Sequence, residues 1–269
     1  MKKSTIVFAL ILLLAVLTGA FSCKRNMPLK DPANTPSGSS AFISLIDVSP
    51  NLDSILKGRA DTFNVLFNDT KVTGYTSGTS PVMTFGGIYP LSGTAVGYAA
   101  IPAGAQTIEF ANGVNSLDSS VLATFHETLT PNSYYSFIIT DSVLSNRDSS
   151  RIFIRDTLMP VTPGYYNMRF VNAALNDTAG VDIWSARNNA NIFSNVKPGT
   201  ILGFSPFASN WALSDTLFCR RAGTQIGLDT LSTQTFYNLR TYTLIYKGNA
   251  LSNLKTNTKR RHLIVYTNK

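Results

Sequence analysis

The sequence has little of what helical proteins and most enzymes use. Only 14% of its 269 residues are charged, and it contains two histidines, two cysteines and two tryptophans. Glutamate, a strong helix former, occurs only as Glu109 and Glu127, which disfavours a helical bundle. With 44% hydrophobic and 11% aromatic residues, the chain is not of the disordered class. Because serine, threonine, asparagine, tyrosine and phenylalanine are plentiful instead, we predict an all-β protein.

The scarcity of histidine also restricts the chemistry. With only His126 and His262, a metal site or a Ser-His-Asp triad would have to be built around a lone imidazole. His126-Glu127 begins like a zinc-protease helix, but no second histidine follows four residues on. Neither a Gly-x-Ser-x-Gly elbow nor a phosphate-binding Gly-x-x-x-x-Gly-Lys loop occurs. We therefore expect no enzyme, no metal and no cofactor, and a secreted hydrolase is only the third hypothesis.

The first residues have the features of an export signal. Lys2 and Lys3 precede an uninterrupted apolar run over 6–17, and small residues follow it. The run is shorter than the roughly 20 residues that a membrane-spanning helix needs. The pattern predicts a cleaved signal peptide over 1–22, and its removal lowers the net charge from +8 to +6.

The segment Ala20-Phe21-Ser22-Cys23 resembles the lipobox of bacterial lipoproteins, in which the cysteine is acylated and becomes the mature N-terminus. The resemblance implies lipid attachment at Cys23 and a place in the cell envelope, on the outer membrane of a Gram-negative bacterium. Residues 23–40 then comprise this cysteine and a flexible tether rich in proline, serine and glycine. The basic pair Lys24-Arg25 leaves the choice between the surface and the periplasmic face open.

If Cys23 is acylated, Cys219 has no disulfide partner in the chain. It alternates with apolar residues in 215–219, and we expect a buried, inert thiol. The basic residues between 255 and 261 lie between two β-like segments and predict a solvated hairpin loop. We expect the membrane as a partner through the lipid, together with an envelope protein or a glycan, and no nucleic acid.

After the tether, the sequence divides into two similar halves, 41–156 and 165–269, joined by a segment with two prolines and a glycine. Both halves open with an alternating strand, at 42–47 and 167–172. Their second strands, at 63–68 and 181–184, each place a polar residue between apolar ones, which suits a sheet with one wet face. The regular spacing of short strands predicts two antiparallel β-sandwiches of Ig-like or related topology, with the strand order left open.

Several short motifs recur along the chain. They are the Ser-Pro turn at 49–50, the strand 63–69, Tyr98 with the Pro-Ala-Gly turn at 102–104, the strand 133–137, and in the second half 181–184 and 242–248. These motifs are similar to the strands of a family of domains of unknown function that is common in bacterial envelope lipoproteins. The resemblance implies a tandem-sandwich lipoprotein and no activity.

The most specific ligand hypothesis concerns the two tryptophans. Sugars stack on exposed aromatic rings and hydrogen-bond to neighbouring Asp or Asn side chains, and alternation places Trp184 on the same strand face as Asp182. Trp211 lies in a predicted loop. We hold Trp184, Trp211 and Asp182 as possible glycan contacts, with one tryptophan in the core and one packed under a loop as the competing interpretation. The corresponding function is a glycan-binding accessory in polysaccharide uptake, which is the alternative to a general interaction module.

Overall fold

The computed structural model describes residues 39–50, 62–73, 82–90, 97–112, 121–140, 151–210, 212–251 and 259–268. These ranges contain strands and turns, and no helix occurs in them, which confirms the predicted all-β class. Accordingly, none of these ranges contains a helix long and apolar enough to cross a membrane. The predicted signal peptide and Cys23 lie outside the described residues.

The strands of the described ranges, in chain order, are β1 (Ser40–Asp47), β2 (Thr62–Phe67), β3 (Thr70–Lys71), β4 (Met83–Thr84), β5 (Ile88–Tyr89), β6 (Ala99–Pro102), β7 (Gly104–Asn112), β8 (Val121–Leu129), β9 (Tyr134–Ile139), β10 (Arg151–Asp156), β11 (Tyr165–Leu175), β12 (Val181–Ser185), β13 (Ala190–Val196), β14 (Thr200–Ile201), β15 (Ser205–Ala208), β16 (Asp215–Arg221), β17 (Gly227–Gln234), β18 (Thr241–Asn249) and β19 (His262–Thr267).

Strands β1 to β10 form two sheets that pack face to face. The first inner sheet has the order β10-β9-β1-β5, with β6 also paired to β1, and the first outer sheet has the order β3-β2-β7-β8, with β4 paired to β2. Period-two alternation directs one side of each strand into a shared aromatic core, in which Phe110 contacts Phe63, Phe125 and Phe137 at ring-centroid distances of 5.0 to 5.9 Å.

Strands β11 to β19 form a second pair of sheets. The second inner sheet has the order β14-β11-β18-β19, with β15 paired to β11, and the second outer sheet has the order β13-β12-β16-β17. Met168 and Phe170 of one sheet and Ile183 and Leu217 of the other are fully buried between them. Cys219 belongs to the same core, as the alternation of its strand predicted.

Each inner sheet contains one parallel pair, which the antiparallel prediction did not include. β1 runs parallel to β9, and β11 runs parallel to β18. These four strands are buried on both faces, and strands of that kind have continuous rather than alternating hydrophobicity. The second face is buried because the two inner sheets pack against each other.

An apolar cluster joins the two inner sheets. It contains Ile46 and Ile138 from the first sheet and Val171, Ala173 and Ile245 from the second. Each of these residues alternates with a neighbour that faces the core of its own sandwich. The four sheets therefore form one stack, with both inner sheets in the middle.

A buried polar network lies beside this cluster. Arg169 is 2% exposed and forms an ion pair with Asp156, while its Nη2 donates to Ser136 Oγ (2.7 Å) and its Nε to Thr243 Oγ1 (2.9 Å). The guanidinium also lies 4.5 Å from the ring centroid of Phe204. Because charges taken out of water are costly unless they are fully paired, this dense bonding is what makes the buried arginine tolerable.

The network continues into both sandwiches. Tyr98 Oη donates to Asp156 Oδ2 (2.5 Å) and accepts from Asn268 Nδ2 (3.1 Å), and Thr243 Oγ1 donates to Asn268 Oδ1 (2.6 Å). We call the apolar cluster and this network together the joint. Tyr98 and Asp156 come from the first sandwich and Asn268 from the second, so the polar contacts fix how the two halves meet.

Lys247 occupies the other end of the joint. Its Nζ lies 4.1 Å from the ring centroid of Phe85 in the first sandwich, and the residue is 6% exposed. Burial lowers the pKa of Lys247 to about 8, and the charge of Asp47 only partly opposes that shift. Close by, Tyr266 Oη donates to the carbonyl of Gly86 (3.1 Å).

Both sandwiches contain a tyrosine corner. The Oη of Tyr135 accepts a hydrogen bond from the backbone N–H of Thr130 (2.9 Å), and that of Tyr242 accepts one from Tyr237 (3.0 Å), in each case five residues upstream. This contact is a hallmark of Ig-like Greek-key sandwiches.

Candidate ligand-binding site

The outer face of the second outer sheet contains a row of partly exposed side chains around Trp184. In β12, Val181 and Ile183 are fully buried in the core, so Asp182 and Trp184 point to the opposite face. Trp184 pairs with Phe218 of the neighbouring β16, and their ring centroids lie 5.6 Å apart. The paired rings give this face an apolar centre.

Arg220 covers one side of this centre. It lies two residues beyond Phe218 on β16, so it projects from the same face. Its guanidinium carbon lies 4.4 Å from the ring centroid of Trp184, and its Nη1 donates to Gln225 Oε1 at 2.7 Å. The guanidinium is thereby held over the indole, and it carries further donors besides Nη1.

Asp182 has a structural role at the bottom of the site. Its Oδ1 accepts from the backbone N–H of Asn195 (2.7 Å) and its Oδ2 from that of Gly223 (2.9 Å). Gly223 has a φ of +70°, which favours glycine in this turn. The carboxylate thus ties β12 to the β13 edge and to the β16–β17 hairpin, and the residue is only 5% exposed. The expectation of a fully wet face is therefore wrong here, as it is for Asn64, which is 4% exposed.

These residues line an open groove of about 290 Å³. Its lining consists of Asp182, Trp184, Asn191, Arg220, Gly223, Thr224 and Gln225. Asn191, Thr224 and Gln225 add amide and hydroxyl groups beside the indole. The lining is mainly polar, with Trp184 as its aromatic member, and in such a groove a few convergent polar groups would orient a small polar ligand.

Two candidates of the sequence analysis, Trp211 and Cys23, fall outside the described residues. Cys219 is fully buried, and burial raises the pKa of its thiol strongly, so the thiol is inert.

Glu109 and Glu127 project from opposite faces of their sheet. Glu109 alternates with the core residues Ile108 and Phe110 along β7. Glu127 lies two residues after the core residue Phe125 on β8, so it projects from the core side, where it forms an ion pair with Arg151. Two carboxylates on opposite faces do not form the pair that glycoside hydrolysis requires. Within the described ranges, no group of three or more His, Cys, Asp or Glu side chains could hold a metal ion.

Sequence reasoning identified Trp184 and Asp182 but missed Arg220, Gln225 and Asn191. Arg220 comes opposite Asp182 only through the register of β12 with β16, and Asn191 meets Trp184 only across a bulge in the β12–β13 pair. The sequence did contain one signal for Arg220, which lies two residues after Phe218 on β16 and therefore shares its face.

The fold and the groove together define a class, the all-β protein built from stacked sandwiches with an open polar groove on an outer sheet. The chain belongs to the family described as Domain of unknown function (DUF4397), which matches residues 41–184. The match covers the first sandwich and continues through β11 into β12. No curated protein matches the chain.

Proposed function

We propose that this protein is a non-enzymatic lipoprotein of the cell envelope, anchored through an acylated Cys23, that acts by binding. The groove at Trp184 carries this proposal. It offers an aromatic ring, a fixed guanidinium and several hydrogen-bonding groups, whereas its only carboxylate, Asp182, is engaged by two backbone amides. Such a site can hold a ligand but lacks a free acid or base to transform it.

A glycan is the ligand class that the groove favours. Sugar rings present an apolar face that suits an indole and hydroxyl groups that suit Asn191, Thr224, Gln225 and Arg220. This chemistry supports the specific form of the proposal, a glycan-binding accessory lipoprotein in polysaccharide uptake. Its partner in the more general form is an envelope protein.

We further propose that the second sandwich is another copy of the family domain. The two inner sheets support this interpretation, since each has a parallel pair followed by an antiparallel closing strand, β10 or β19. The tyrosine corners at Tyr135 and Tyr242 have the same spacing in both halves. On this interpretation the domains span 41–156 and 165–269.

Glycan binding is tested by array screening and calorimetry of the mature protein. We expect the unaltered protein to bind at least one glycan class, Trp184→Ala to abolish that binding, and Tyr237→Ala, which removes an exposed aromatic ring elsewhere, to leave it unchanged. Trp211→Ala asks whether the second tryptophan contributes. Absence of binding by the unaltered protein, or equal binding by Trp184→Ala, would remove the glycan proposal.

The anchor is tested separately. Mass spectrometry of the N-terminal peptide should show acyl chains on Cys23, and Cys23→Ala should move the protein from the membrane to the soluble fraction. An unmodified thiol at position 23 in membrane-derived protein would contradict the lipoprotein proposal.

A further inference from the structure

The exposed apolar side chains of the structure are unevenly distributed. Among the described residues, eight large hydrophobic side chains are exposed, and five of them lie together at one end of the second sandwich. These five, which we call the end patch, are Met159, Tyr165, Leu213, Tyr237 and Leu239.

Backbone contacts hold the segments of the end patch together. The N–H of Leu239 donates to the carbonyl of Tyr165 (2.9 Å), and the N–H of Ser209 donates to the carbonyl of Gly164 (2.8 Å). Asn167 Nδ2 donates to the carbonyl of Met159 (3.2 Å). The start of β11, the loop after β15 and the turn before β18 therefore form one surface. Large exposed apolar patches of this kind mark interaction sites.

The end patch lies at the end of the stack where the chain enters from Cys23. In the joint, Ser136 of β9 accepts a hydrogen bond from Arg169 of β11. Two residues further along each strand, Ile138 and Val171 belong to the same apolar cluster. The two strands therefore run in the same sense. Since β1 is parallel to β9 and β18 to β11, all four strands begin at the same end, which we call the near end.

The predicted tether is short. Sixteen residues lie between Cys23 and Ser40, where β1 begins. A flexible chain of that length has a root-mean-square span of roughly 20 to 25 Å. A membrane anchor at Cys23 would therefore keep the near end, and with it the end patch, within reach of the bilayer.

The charges at the near end suit an anionic membrane. Arg155 and Arg240 are exposed there. Asp156 and Asp215 at the same end are buried, Asp156 bound to Arg169 and Asp215 to Ser185. Aromatic and aliphatic side chains next to arginine are the combination that binds the interface of an anionic bilayer.

We propose that the end patch docks on the bilayer that carries the acylated Cys23, so that the stack stands on the membrane with its near end down. This inference rests on the proposed lipid anchor. It gives the groove at Trp184 a direction, since Gly223 and Gln225 follow the end of β16 that is remote from Tyr165 and therefore face away from the membrane.

The test uses the lipidated protein in vesicles of phosphatidylethanolamine and phosphatidylglycerol, with an environment-sensitive fluorophore on a single introduced cysteine. The buried Cys219 does not compete for the label. Leu239→Cys places the probe in the end patch, and Leu251→Cys places it at the opposite end of β18, where Leu251 is 73% exposed. We expect a blue shift and quenching by brominated acyl chains at position 239 and neither at 251.

Equal quenching at the two positions would overturn the docking proposal and would favour a protein partner for the end patch. Adding Tyr237→Ser and Arg240→Gln to the Leu239→Cys protein should reduce the quenching, and an unchanged signal would also count against docking. The intact mass of each sample reports acylation of Cys23. Absence of acyl chains overturns the anchor and the docking together, whereas acylated protein with an exposed probe at position 239 overturns the docking alone.

Discussion

Two arginines of this protein lie over aromatic rings at almost the same distance and have opposite surroundings. Arg169 lies 4.5 Å from Phe204 inside the joint, and Arg220 lies 4.4 Å from Trp184 in an open groove. Arg169 also has a carboxylate and two hydroxyl groups as partners, whereas the hydrogen-bond partner of Arg220 is one exposed amide side chain. The comparison shows that the arginine–aromatic contact alone does not define the role of the arginine. That role depends on how many donors of the guanidinium remain within reach of water or a ligand.

The largest effect is expected from breaking the buried arginine. Arg169→Met leaves Asp156 as an unpaired buried charge, and breaking one partner of such a pair costs about 3 to 5 kcal/mol of unfolding free energy. Urea unfolding of the variant and of the unaltered protein measures the difference. A loss no greater than that of Arg220→Met would mean that the joint contributes nothing beyond its apolar cluster.

Asp182→Ala should have the next largest effect. Removing the carboxylate leaves the backbone N–H groups of Asn195 and Gly223 without their acceptor, at a cost of about 1 to 3 kcal/mol. Asp182→Asn retains one acceptor oxygen and should lose less. Equal stability of the alanine variant and the unaltered protein in urea would show that the carboxylate does not tie the hairpin to the sheet.

At the joint, we expect Lys247 to have a smaller, pH-dependent effect on the unfolding free energy. Its folded-state pKa of about 8 lies below the ordinary value of 10.5, so between these values the unfolded chain binds the proton and the folded protein does not. The unfolding free energy therefore rises with pH in this window, by about 1 to 2 kcal/mol between pH 8 and 9.5. Urea unfolding across this range should show the rise, and Lys247→Met should remove it. A rise that persists in the variant would assign the pH dependence to another group.

The smallest effect on stability is expected at the partly exposed Arg220. Arg220→Met should change the unfolding free energy by less than about 1 kcal/mol, because an exposed arginine–aromatic contact contributes about 0.5 to 1 kcal/mol. Ligand binding at the Trp184 groove, measured by calorimetry, should weaken at the same time. A stability loss comparable to that of Arg169→Met would erase the distinction between the two arginines.

The same comparison shows what could be read from the sequence. The all-β class and the buried Cys219 follow from alternation and composition, which are local properties. Arg169 alternates with Met168 and Phe170 like any surface residue of a strand. Nothing nearby in sequence reveals that Asp156 neutralises its charge and that Ser136 accepts one of its hydrogen bonds. Its burial results from the stacking of two inner sheets, which local pattern does not encode.

For the same reason, only part of the candidate site could be predicted from the sequence. Trp184 and Asp182 share a face because they are two residues apart on one strand. The role of Asp182 as a backbone acceptor depends on Gly223, 41 residues away, and Arg220 reaches Trp184 only through the register of β16. The parallel pairs were also missed, since sequence spacing distinguishes strands from helices but not the direction of their partners.

The contact between Tyr98 and Asn268 has a consequence for the way the protein is made. These residues are 170 positions apart, so the two halves can engage only after nearly the whole described chain has been synthesised. Until then the first sandwich exposes Ile46 and Ile138 to solvent, and such transiently uncovered apolar surface promotes aggregation. The folding intermediate with one completed half is thus the vulnerable species, the one for which a chaperone would matter most.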